Sequence, residues 1–389
     1  MNIGIDKIGF ATSKYKLNMD DLAQSRQIDP NKYKEGLILN AISISPITED
    51  IVTLGATAAR EFLTEDDCQA IDMVIVATES GIDQSKAAAV YLHHLLGIQP
   101  FARSIEMKEA CYSATASLDY AKLHIQRNPK SKVLVVASDI AKYGIESAGE
   151  PTQGAGSVAM LITNEPRIAI INDEIVAQTR DIMDFWRPNY STTPYVNGIY
   201  STKQYLDMLT STWTEFQKRY DATLSDFSAF CFHLPFPKLA VKGLKKILKK
   251  EVSTEVTDRI QENFQHSIKY SQEIGNIYTA SLFLGLLSLL ENSPSLKAND
   301  KIALFSYGSG AVSEIFSISL VEGYEQYLST NRFKKLEERI TLSVNDYERI
   351  FFEEAKLDEN GNADFKEYLT NTFYLSSIRE HQRIYLEKS

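Results

Sequence analysis

The sequence predicts an α/β protein assembled from two similar halves. In the first half, apolar runs rich in β-branched residues alternate with helical patterns, as is typical of strands buried on both faces and their connecting helices. The elements predicted for this half are Ile71–Thr78, Ser85–Leu96, Cys111–Gln126, Lys132–Ser138 and Ser157–Ile162.

The second half is predicted to repeat that order, with strands at Phe227–Phe232, Ile302–Phe305 and Val312–Ile318. Its segment Gly275–Leu282 echoes Cys111–Leu118, since both start a helix after a polar residue and continue with Tyr, Thr or Ser, Ala and Leu. We therefore expect two domains, residues 1–165 and 166–389. The acidic, weakly patterned sequence from about residue 330 onward is predicted to be a peripheral addition to the second.

Composition excludes several classes of protein. The 389 residues carry a net charge of −10, which argues against a general nucleic-acid binder. The spacing of the three cysteines does not suggest a zinc site or a disulfide framework. The sequence shows neither a signal peptide nor a membrane-spanning run. We therefore expect a cytoplasmic protein that does not associate with a membrane. One local basic cluster is a candidate for binding an anionic ligand: Lys238, Lys242, Lys245, Lys246, Lys249 and Lys250.

Four polar residues are predicted to converge on one cleft between the halves. Glu79 and His233 each follow a predicted strand, whereas Cys111 and Asn276 each stand at a predicted helix start. Taken singly, each has a commoner explanation as a loop residue, a structural histidine or a buried cysteine. Taken together, they favour a nucleophilic thiol, because a helix N-terminus stabilises a thiolate and an imidazole can assist it.

Two glycine-containing stretches, Gly149–Gly156 and Ser306–Gly310, follow predicted strands and are explained equally well as tight turns. Neither has the spacing of a phosphate-binding loop or a dinucleotide fingerprint, which lowers the support for nucleotide hydrolysis and hydride transfer. The backbone N–H of Ser309 is instead expected to form an oxyanion hole with that of Cys111.

These residues resemble 3-hydroxy-3-methylglutaryl-CoA (HMG-CoA) synthase of the bacterial type, a family of thiolase-like condensing enzymes. The resemblance covers nearly the whole chain. The motifs that carry it are Val76–Ser80, Glu106–Tyr112, Gly149–Gly156, Asp184-Phe-Trp-Arg-Pro188, Phe232–Phe236, Gly275–Thr279 and Phe305–Gly310.

The resemblance implies a five-layered αβαβα thiolase-like fold, a homodimer and a place in the mevalonate pathway of isoprenoid biosynthesis. It implies condensation of acetyl-CoA with acetoacetyl-CoA and water to give HMG-CoA and CoA, with CoA thioesters as substrates and neither cofactor nor metal. Cys111 would carry the acetyl group, Glu79 would be the general base and acid, and His233 would polarise acetoacetyl-CoA. The positions implied to bind substrate or CoA are Asp29, Thr152, Ser201, Lys238, Lys242, Asn276 and Ser309.

Three other functions compete with this one. A ketoacyl synthase III-like enzyme shares the cysteine, histidine and asparagine but lacks a base equivalent to Glu79. A degenerate thiolase-fold protein would bind acyl-CoA without turnover, although Glu79, Cys111 and His233 are all present. A Cys/His hydrolase would need neither the duplicated halves nor the carboxylate at a strand end.

Overall fold

The computed structural model describes residues 1–249 and 253–388. The strands are β1 (Ile3–Thr12), β2 (Tyr15–Asn18), β3 (Ala41–Ile44), β4 (Ile71–Ala77), β5 (Arg103–Met107), β6 (Lys132–Ala141), β7 (Gly154–Asn164), β8 (Ala169–Thr179), β9 (Phe185–Trp186), β10 (Tyr195–Val196), β11 (Ala229–Phe232), β12 (Lys301–Gly308), β13 (Val312–Leu320), β14 (Ile340–Thr341), β15 (Ala363–Asp364), β16 (Phe373–Arg379) and β17 (Gln382–Glu387). The α-helices are α1 (Met19–Ser25), α2 (Asn31–Lys34), α3 (Ile51–Arg60), α4 (Glu65–Ala70), α5 (Ala88–Leu95), α6 (Ser113–Arg127), α7 (Gly198–Tyr220), α8 (Pro237–Leu248), α9 (Thr254–Ile274), α10 (Ser281–Asn292), α11 (Arg332–Glu337) and α12 (Val344–Phe351).

A nine-stranded mixed sheet contains the same arrangement twice. Its order is β5-β4-β6-β7-β1-β8-β13-β12-β11. In the first half β4 pairs in parallel with β6, and β7 and β1 follow as antiparallel neighbours. In the second half β11 pairs in parallel with β12, and β13 and β8 follow in the same way. Within this sheet the halves are joined by two residue pairs between β1 and β8.

Side chains that alternate along the strands build five layers. In β4, Met73 and Ile75 face a core shared with α6 and α10, whereas Val74 and Val76 face α3 and α5. In β12, alternate residues face that same central core or an outer core formed with α7, α8 and α9. The order is therefore helices, sheet, helices, sheet, helices, which confirms the predicted αβαβα fold class.

Helix α10 is apolar on all sides because it lies in the central layer. All of its residues from Ser281 to Leu290 are buried, as expected for a helix enclosed by sheets on both sides. Across residues 1–249 and 253–388, no helix is both long enough and apolar enough to cross a membrane.

Most predicted elements are confirmed, with shifts at their ends. The strands predicted at Ile71–Thr78 and Lys132–Ser138 correspond to β4 and β6. Helix α6 begins at Ser113 rather than Cys111, so the cysteine lies in the turn before the helix. Gly154 to Gly156 belong to β7 and are not a loop before it. The domain boundary at residue 165 falls between β7 and β8 and stays a prediction.

Within the described residues, the segment after residue 330 adds no strand to the nine-stranded sheet, although buried side chains join it to the rest of the fold; that it is a peripheral addition stays a prediction. Tyr347 of α12 is buried, accepts a hydrogen bond from Gln153 at 2.7 Å and donates one to Glu150 at 3.2 Å. The segment also adds β14 beside β2. These contacts join residues that are far apart in the sequence, so no local sequence pattern reveals them.

Arg332 connects this segment to both halves through a buried ion network. Its guanidinium contacts Glu61, at the end of α3, at 2.9 Å and Glu291 of α10 at 2.9 Å. The side chains of Arg332 and Glu291 are only 6% and 1% exposed. Glu291 also accepts a hydrogen bond from Tyr270 at 2.6 Å. Because Glu291 is buried, removing the arginine would leave its carboxylate without a counter-ion.

We predict that Arg332→Met lowers the free energy of unfolding by about 3 kcal/mol, because Glu291 is left buried and unpaired. The control is Lys334→Met on the same helix, whose ammonium lies 3.9 Å from Glu338 on the surface and contributes little. Urea unfolding followed by fluorescence measures both. Equal midpoints for the two variants would contradict the assigned role of Arg332.

Candidate active site

Cys111 lies in a tight turn that directs its side chain to Glu79. The preceding residue, Ala110, has a positive φ of 42°. The hydroxyl of Ser113 holds the turn, accepting a hydrogen bond from the amide of Glu109 at 2.8 Å and donating one to the carbonyl of Ala110 at 2.7 Å. The Cys111 thiol donates a hydrogen bond to Glu79 Oε1 at 3.0 Å. The predicted thiol and the predicted base are therefore in direct contact.

Electrostatics keep Cys111 as a neutral thiol, contrary to the expectation of a thiolate stabilised by a helix N-terminus. Burial and the negative charge of Glu79 raise the pKa of Cys111 well above its usual value. Burial, and next the charge of Asp139, raise the pKa of Glu79 to about 8. A carboxylate 3.0 Å away outweighs a partial helix charge that begins two residues later.

Asp139, at the end of β6, fixes the position of Glu79. The side chain is fully buried, and its Oδ1 accepts hydrogen bonds from the hydroxyl of Thr78 at 2.8 Å and from the amides of Glu79 and Ser80 at 2.9 and 3.0 Å. Its Oδ2 accepts bonds from the amide, at 3.0 Å, and the hydroxyl of Thr279 in the other half. Burial raises the pKa of Asp139, and the hydrogen bonds from Thr279, Ser80 and Thr78 oppose that rise.

His233 lies directly after β11, as predicted. Its amide donates to the carbonyl of Phe305 in β12 at 2.8 Å, and its own carbonyl accepts a bond from the hydroxyl of Tyr205 at 2.9 Å. The side chain is 2% exposed, and within the described residues its buried Nδ1 has no hydrogen-bond partner. Burial lowers the pKa of His233 to about 3, so the imidazole is neutral near pH 7.

Asn276 is buried and held by four hydrogen bonds. Its side-chain oxygen accepts bonds from the amide of Tyr278 and the hydroxyl of Ser281, both at 2.9 Å, and its Nδ2 donates to the hydroxyl of Tyr143 at 2.9 Å. Its amide donates to the carbonyl of Thr152 at 3.1 Å. Gly154 allows this approach, since a Cβ there would lie 2.5 Å from the Asn276 carbonyl oxygen. Thr152 and Asn276 are thus neighbours.

The loop that carries Ser309 packs directly on the cysteine turn. A Cβ on Gly308 would lie 2.6 Å from the carbonyl oxygen of Glu109, so only glycine fits without displacement. Asp184 fixes the far side of the loop, accepting bonds from the amide of Gly310 at 2.9 Å and the hydroxyl of Tyr307 at 2.8 Å. Ser309 itself is half-buried between these contacts.

Four further residues are predicted to bind substrate or CoA, namely Asp29, Ser201, Lys238 and Lys242. Ser201 donates to Asp184 at 3.3 Å, beside the Ser309 loop. Lys238, in the first turn of α8, donates to the carbonyl of Glu35 at 3.0 Å and so joins α8 to the segment after α2. Asp29 is exposed and accepts a bond from the amide of Asn31 at 3.0 Å, which starts α2. The cluster residues exposed on the surface are Lys242, Lys245, Lys246 and Lys249, and Lys250 lies outside the described residues.

The two helix starts have the same local geometry. Ala110 and Tyr278, three residues before α6 and α10 begin, have φ values of 42° and 43°. In each turn the first helical serine, Ser113 or Ser281, accepts a hydrogen bond from the amide four residues earlier, at 2.8 and 3.0 Å. This likeness fixes the register between the two halves.

In that register Cys111 corresponds to Thr279, so the predicted equivalence of Cys111 with Asn276 is wrong by three residues. The sequence echo misplaced it because both segments share Tyr, Thr or Ser, Ala and Leu, and such a composition aligns in more than one register. Asn276 instead precedes the turn and accepts hydrogen bonds from residues within it.

Sequence reasoning missed several groups that organise the site. Arg187 donates a short hydrogen bond to the carbonyl of Glu79. Both Arg187 and Asp184 stood inside a motif quoted for the family resemblance but received no role. Asp139 had one available signal, a lone acidic residue that interrupts the end of an otherwise apolar strand.

Comparison with known proteins identifies the family. The profile described as "Hydroxymethylglutaryl-coenzyme A synthase N terminal" matches residues 1–167, and the corresponding C-terminal profile matches residues 176–266 and 244–388. The chain belongs to the hydroxymethylglutaryl-CoA synthase family. It is 49% identical to a hydroxymethylglutaryl-CoA synthase of Enterococcus faecalis, over 92% of this chain and 94% of the relative. The predicted resemblance is confirmed.

Solved hydroxymethylglutaryl-CoA synthases have the same fold. The chain resembles a crystal structure of HMG-CoA synthase complexed with CoA, with a TM-score of 0.99 and 66% identity over 100% of both chains. It also resembles MvaS in complex with 3-hydroxy-3-methylglutaryl coenzyme A, with a TM-score of 0.91 and 30% identity over 100% of this chain and 99% of that one. The chain is therefore an acyltransferase-type condensing enzyme.

We predict that Glu79→Gln lowers the pKa of Cys111, because the variant removes the neighbouring negative charge that disfavours the thiolate. Alkylation of Cys111 by iodoacetamide, followed across pH by peptide mass spectrometry, should then reach half its maximal rate about one pH unit lower or more. Glu109→Gln is the matched control, since that carboxylate does not contact the thiol. An unchanged or upward-shifted profile for Glu79→Gln would refute this account of the pair.

Proposed function

We propose that this chain condenses acetyl-CoA with acetoacetyl-CoA and water to give HMG-CoA and CoA, through an acetyl thioester on Cys111. The observation that carries the proposal is the 3.0 Å hydrogen bond from the Cys111 thiol to Glu79, in a chain of the hydroxymethylglutaryl-CoA synthase family. The mevalonate pathway is the proposed setting. CoA thioesters supply the activated carbonyls, so no cofactor or metal is required.

The first step is acyl transfer to Cys111. The thiol sulfur attacks the carbonyl of acetyl-CoA while its proton moves along the existing hydrogen bond to Glu79. The carbon–sulfur bond to CoA then breaks, and Glu79 gives that proton to the leaving CoA sulfur, so that free CoA, acetylated Cys111 and an ionised Glu79 result. Because the pKa of Glu79 is raised to about 8, a minority of the chains carry the ionised form at pH 7, and that form is a stronger base than an exposed carboxylate.

The second step forms the carbon–carbon bond. Glu79 removes a proton from the acetyl methyl group, and the backbone N–H groups of Cys111 and Ser309 stabilise the enolate oxygen. The enolate carbon attacks the ketone carbon of acetoacetyl-CoA. His233 polarises that ketone as a neutral hydrogen-bond donor, a role supported by the burial that lowers its pKa to about 3. Protonated Glu79 returns the proton to the new alkoxide.

The last step is hydrolysis. Water attacks the thioester that joins the product to Cys111, the carbon–sulfur bond breaks, and HMG-CoA leaves with the thiol restored. On the family resemblance, we propose that the entrance for CoA lies where α8 meets the segment after α2, with Asp29, Lys238 and Lys242 at its rim. The hydrogen bond from Lys238 to the carbonyl of Glu35 shows that α8 and this segment are neighbours.

We predict that Glu79→Ala is still acetylated on Cys111 by acetyl-CoA but loses condensation by at least about a hundredfold. Acetylation persists because loss of the carboxylate lowers the pKa of the thiol, whereas no other group replaces the base at the methyl carbon. Peptide mass spectrometry measures the adduct, and loss of acetoacetyl-CoA measures condensation. Cys111→Ala should show neither, and Glu109→Ala should show both. Condensation by Glu79→Ala at the normal rate would remove Glu79 from the proposed role.

We also propose a homodimer formed through β5, in a reducing cytoplasm where Cys68, Cys111 and Cys231 stay free. The other edge of the main sheet, β11, is buried, whereas β5 begins exposed and its other residues are only half-buried. Phe101, just before β5, is 91% exposed. An uncovered strand edge beside an exposed aromatic ring favours pairing with a second copy.

The expected mass in solution is twice 43.8 kDa, measured by light scattering during size-exclusion chromatography. Phe101→Asp should weaken the dimer because it places a charge beside the paired edge. Phe352→Asp is the control, since that ring is 66% exposed elsewhere on the surface. A monomeric wild-type chain would rule out the proposed assembly.

A further inference from the structure

A cavity of about 290 Å³ lies away from Cys111 and is unusually rich in cations. It is bounded by the end of β1, the end of α3, helix α11 and the segment before β16. The charged residues that line it are Lys14, Arg60, Glu61, Arg332, Lys335 and Arg339. Five cations and one carboxylate therefore surround one small volume, in a chain whose net charge is −10.

Only two of those cations are neutralised by carboxylates. Arg332 pairs with Glu61 and Glu291, and Arg60 contacts Glu387 at 3.2 Å. The other three, Lys14, Lys335 and Arg339, form no ion pair within residues 1–249 and 253–388. Glu273 acts on Arg339 and Glu49 acts on Lys14 through their charges without forming an ion pair, so these cations keep hydrogen-bond donors available for an anion.

Of these three cations, Arg339 is the one whose side chain is buried. Its Nε and Nη2 donate to the carbonyl oxygens of Leu336 and Glu273, but its buried Nη1 has no partner among the described residues. Burial lowers the pKa of Arg339 to about 10. A buried guanidinium that contacts only neutral oxygens is stabilised by an anion brought close to it.

We propose that this cavity binds a small phosphate-bearing anion, as a second ligand site separate from the entrance proposed for CoA. Arginine and lysine together are the usual partners of phosphate oxygens. The volume is at the lower end of that of ligand pockets, which suits a pyrophosphate group or a short phosphate ester rather than a whole CoA molecule. The cavity shares no residue with α8.

The test is isothermal titration calorimetry of the full chain with inorganic pyrophosphate, with ionic strength held constant by KCl. The variant is Lys14→Gln/Lys335→Gln, which changes two exposed side chains and should leave folding intact. Wild type should bind saturably, and the double variant should bind about tenfold more weakly or worse. Lys334→Gln, on the same helix but outside the cavity lining, should bind as wild type does.

Two further titrations test where the anion binds and which class of anion is preferred. Lys238→Gln/Lys242→Gln should retain pyrophosphate binding, because those lysines lie on α8 and not in the cavity. Citrate should bind more weakly than pyrophosphate. The proposal is overturned by absence of saturable binding up to about 1 mM pyrophosphate, by unchanged affinity in Lys14→Gln/Lys335→Gln, by loss of binding in the α8 variant, or by tighter binding of citrate.

Discussion

The geometry of the site depends on the buried carboxylate of Asp139. One of its oxygens accepts hydrogen bonds from the strand end that carries Glu79, and the other accepts bonds from Thr279 in the second half. A buried charge is tolerated only when such donors surround it. Here the donors come from two parts of the fold, so satisfying Asp139 also fixes the base against the second half. Burial raises the pKa of Glu79 and the charge of Asp139 adds to that rise, so Asp139 influences both the position and the strength of the proposed base.

In the proposed mechanism, the contact between Cys111 and Glu79 allows a cysteine to carry an acyl group without being a permanent thiolate. Because the pKa of Cys111 is raised well above its usual value, the resting thiol is protonated. A protonated thiol is less susceptible to nonspecific alkylation and oxidation than a thiolate. Its proton is already hydrogen-bonded to the group that would accept it. Once the sulfur is acylated that proton is gone, and the same carboxylate faces the acetyl methyl group. One side chain can therefore act in both steps without moving far.

The strands and the main site residues could be predicted from the sequence because each leaves a local signal. Strands such as β4 and β6 are buried on both faces and appear as unbroken apolar runs, so a polar residue directly after them, such as Glu79, stands out. Asp139 was not predicted because the groups that donate hydrogen bonds to its carboxylate are distant in the sequence. Arg332 and Tyr347 were missed for the same reason, since the residues that they contact are also distant in the sequence. The prediction that Cys111 is a thiolate was wrong. The sequence indicated a helix start beside the cysteine but gave no information on its distance from Glu79.

The corrected register between the halves shows how one local geometry serves two purposes. Cys111 and Thr279 occupy the same place in matching turns, and each donates a hydrogen bond to a carboxylate, Glu79 or Asp139. Thr279 is fully buried, and Asp139 accepts bonds from several other donors, so that pair is locked and serves as structure. Cys111 and Glu79 are only half-buried, and Glu79 has few competing partners, so their proton can move. The same turn therefore forms a fixed structural contact in one half and, in the proposed mechanism, a reactive pair in the other. The difference lies in how many hydrogen-bond donors surround each carboxylate.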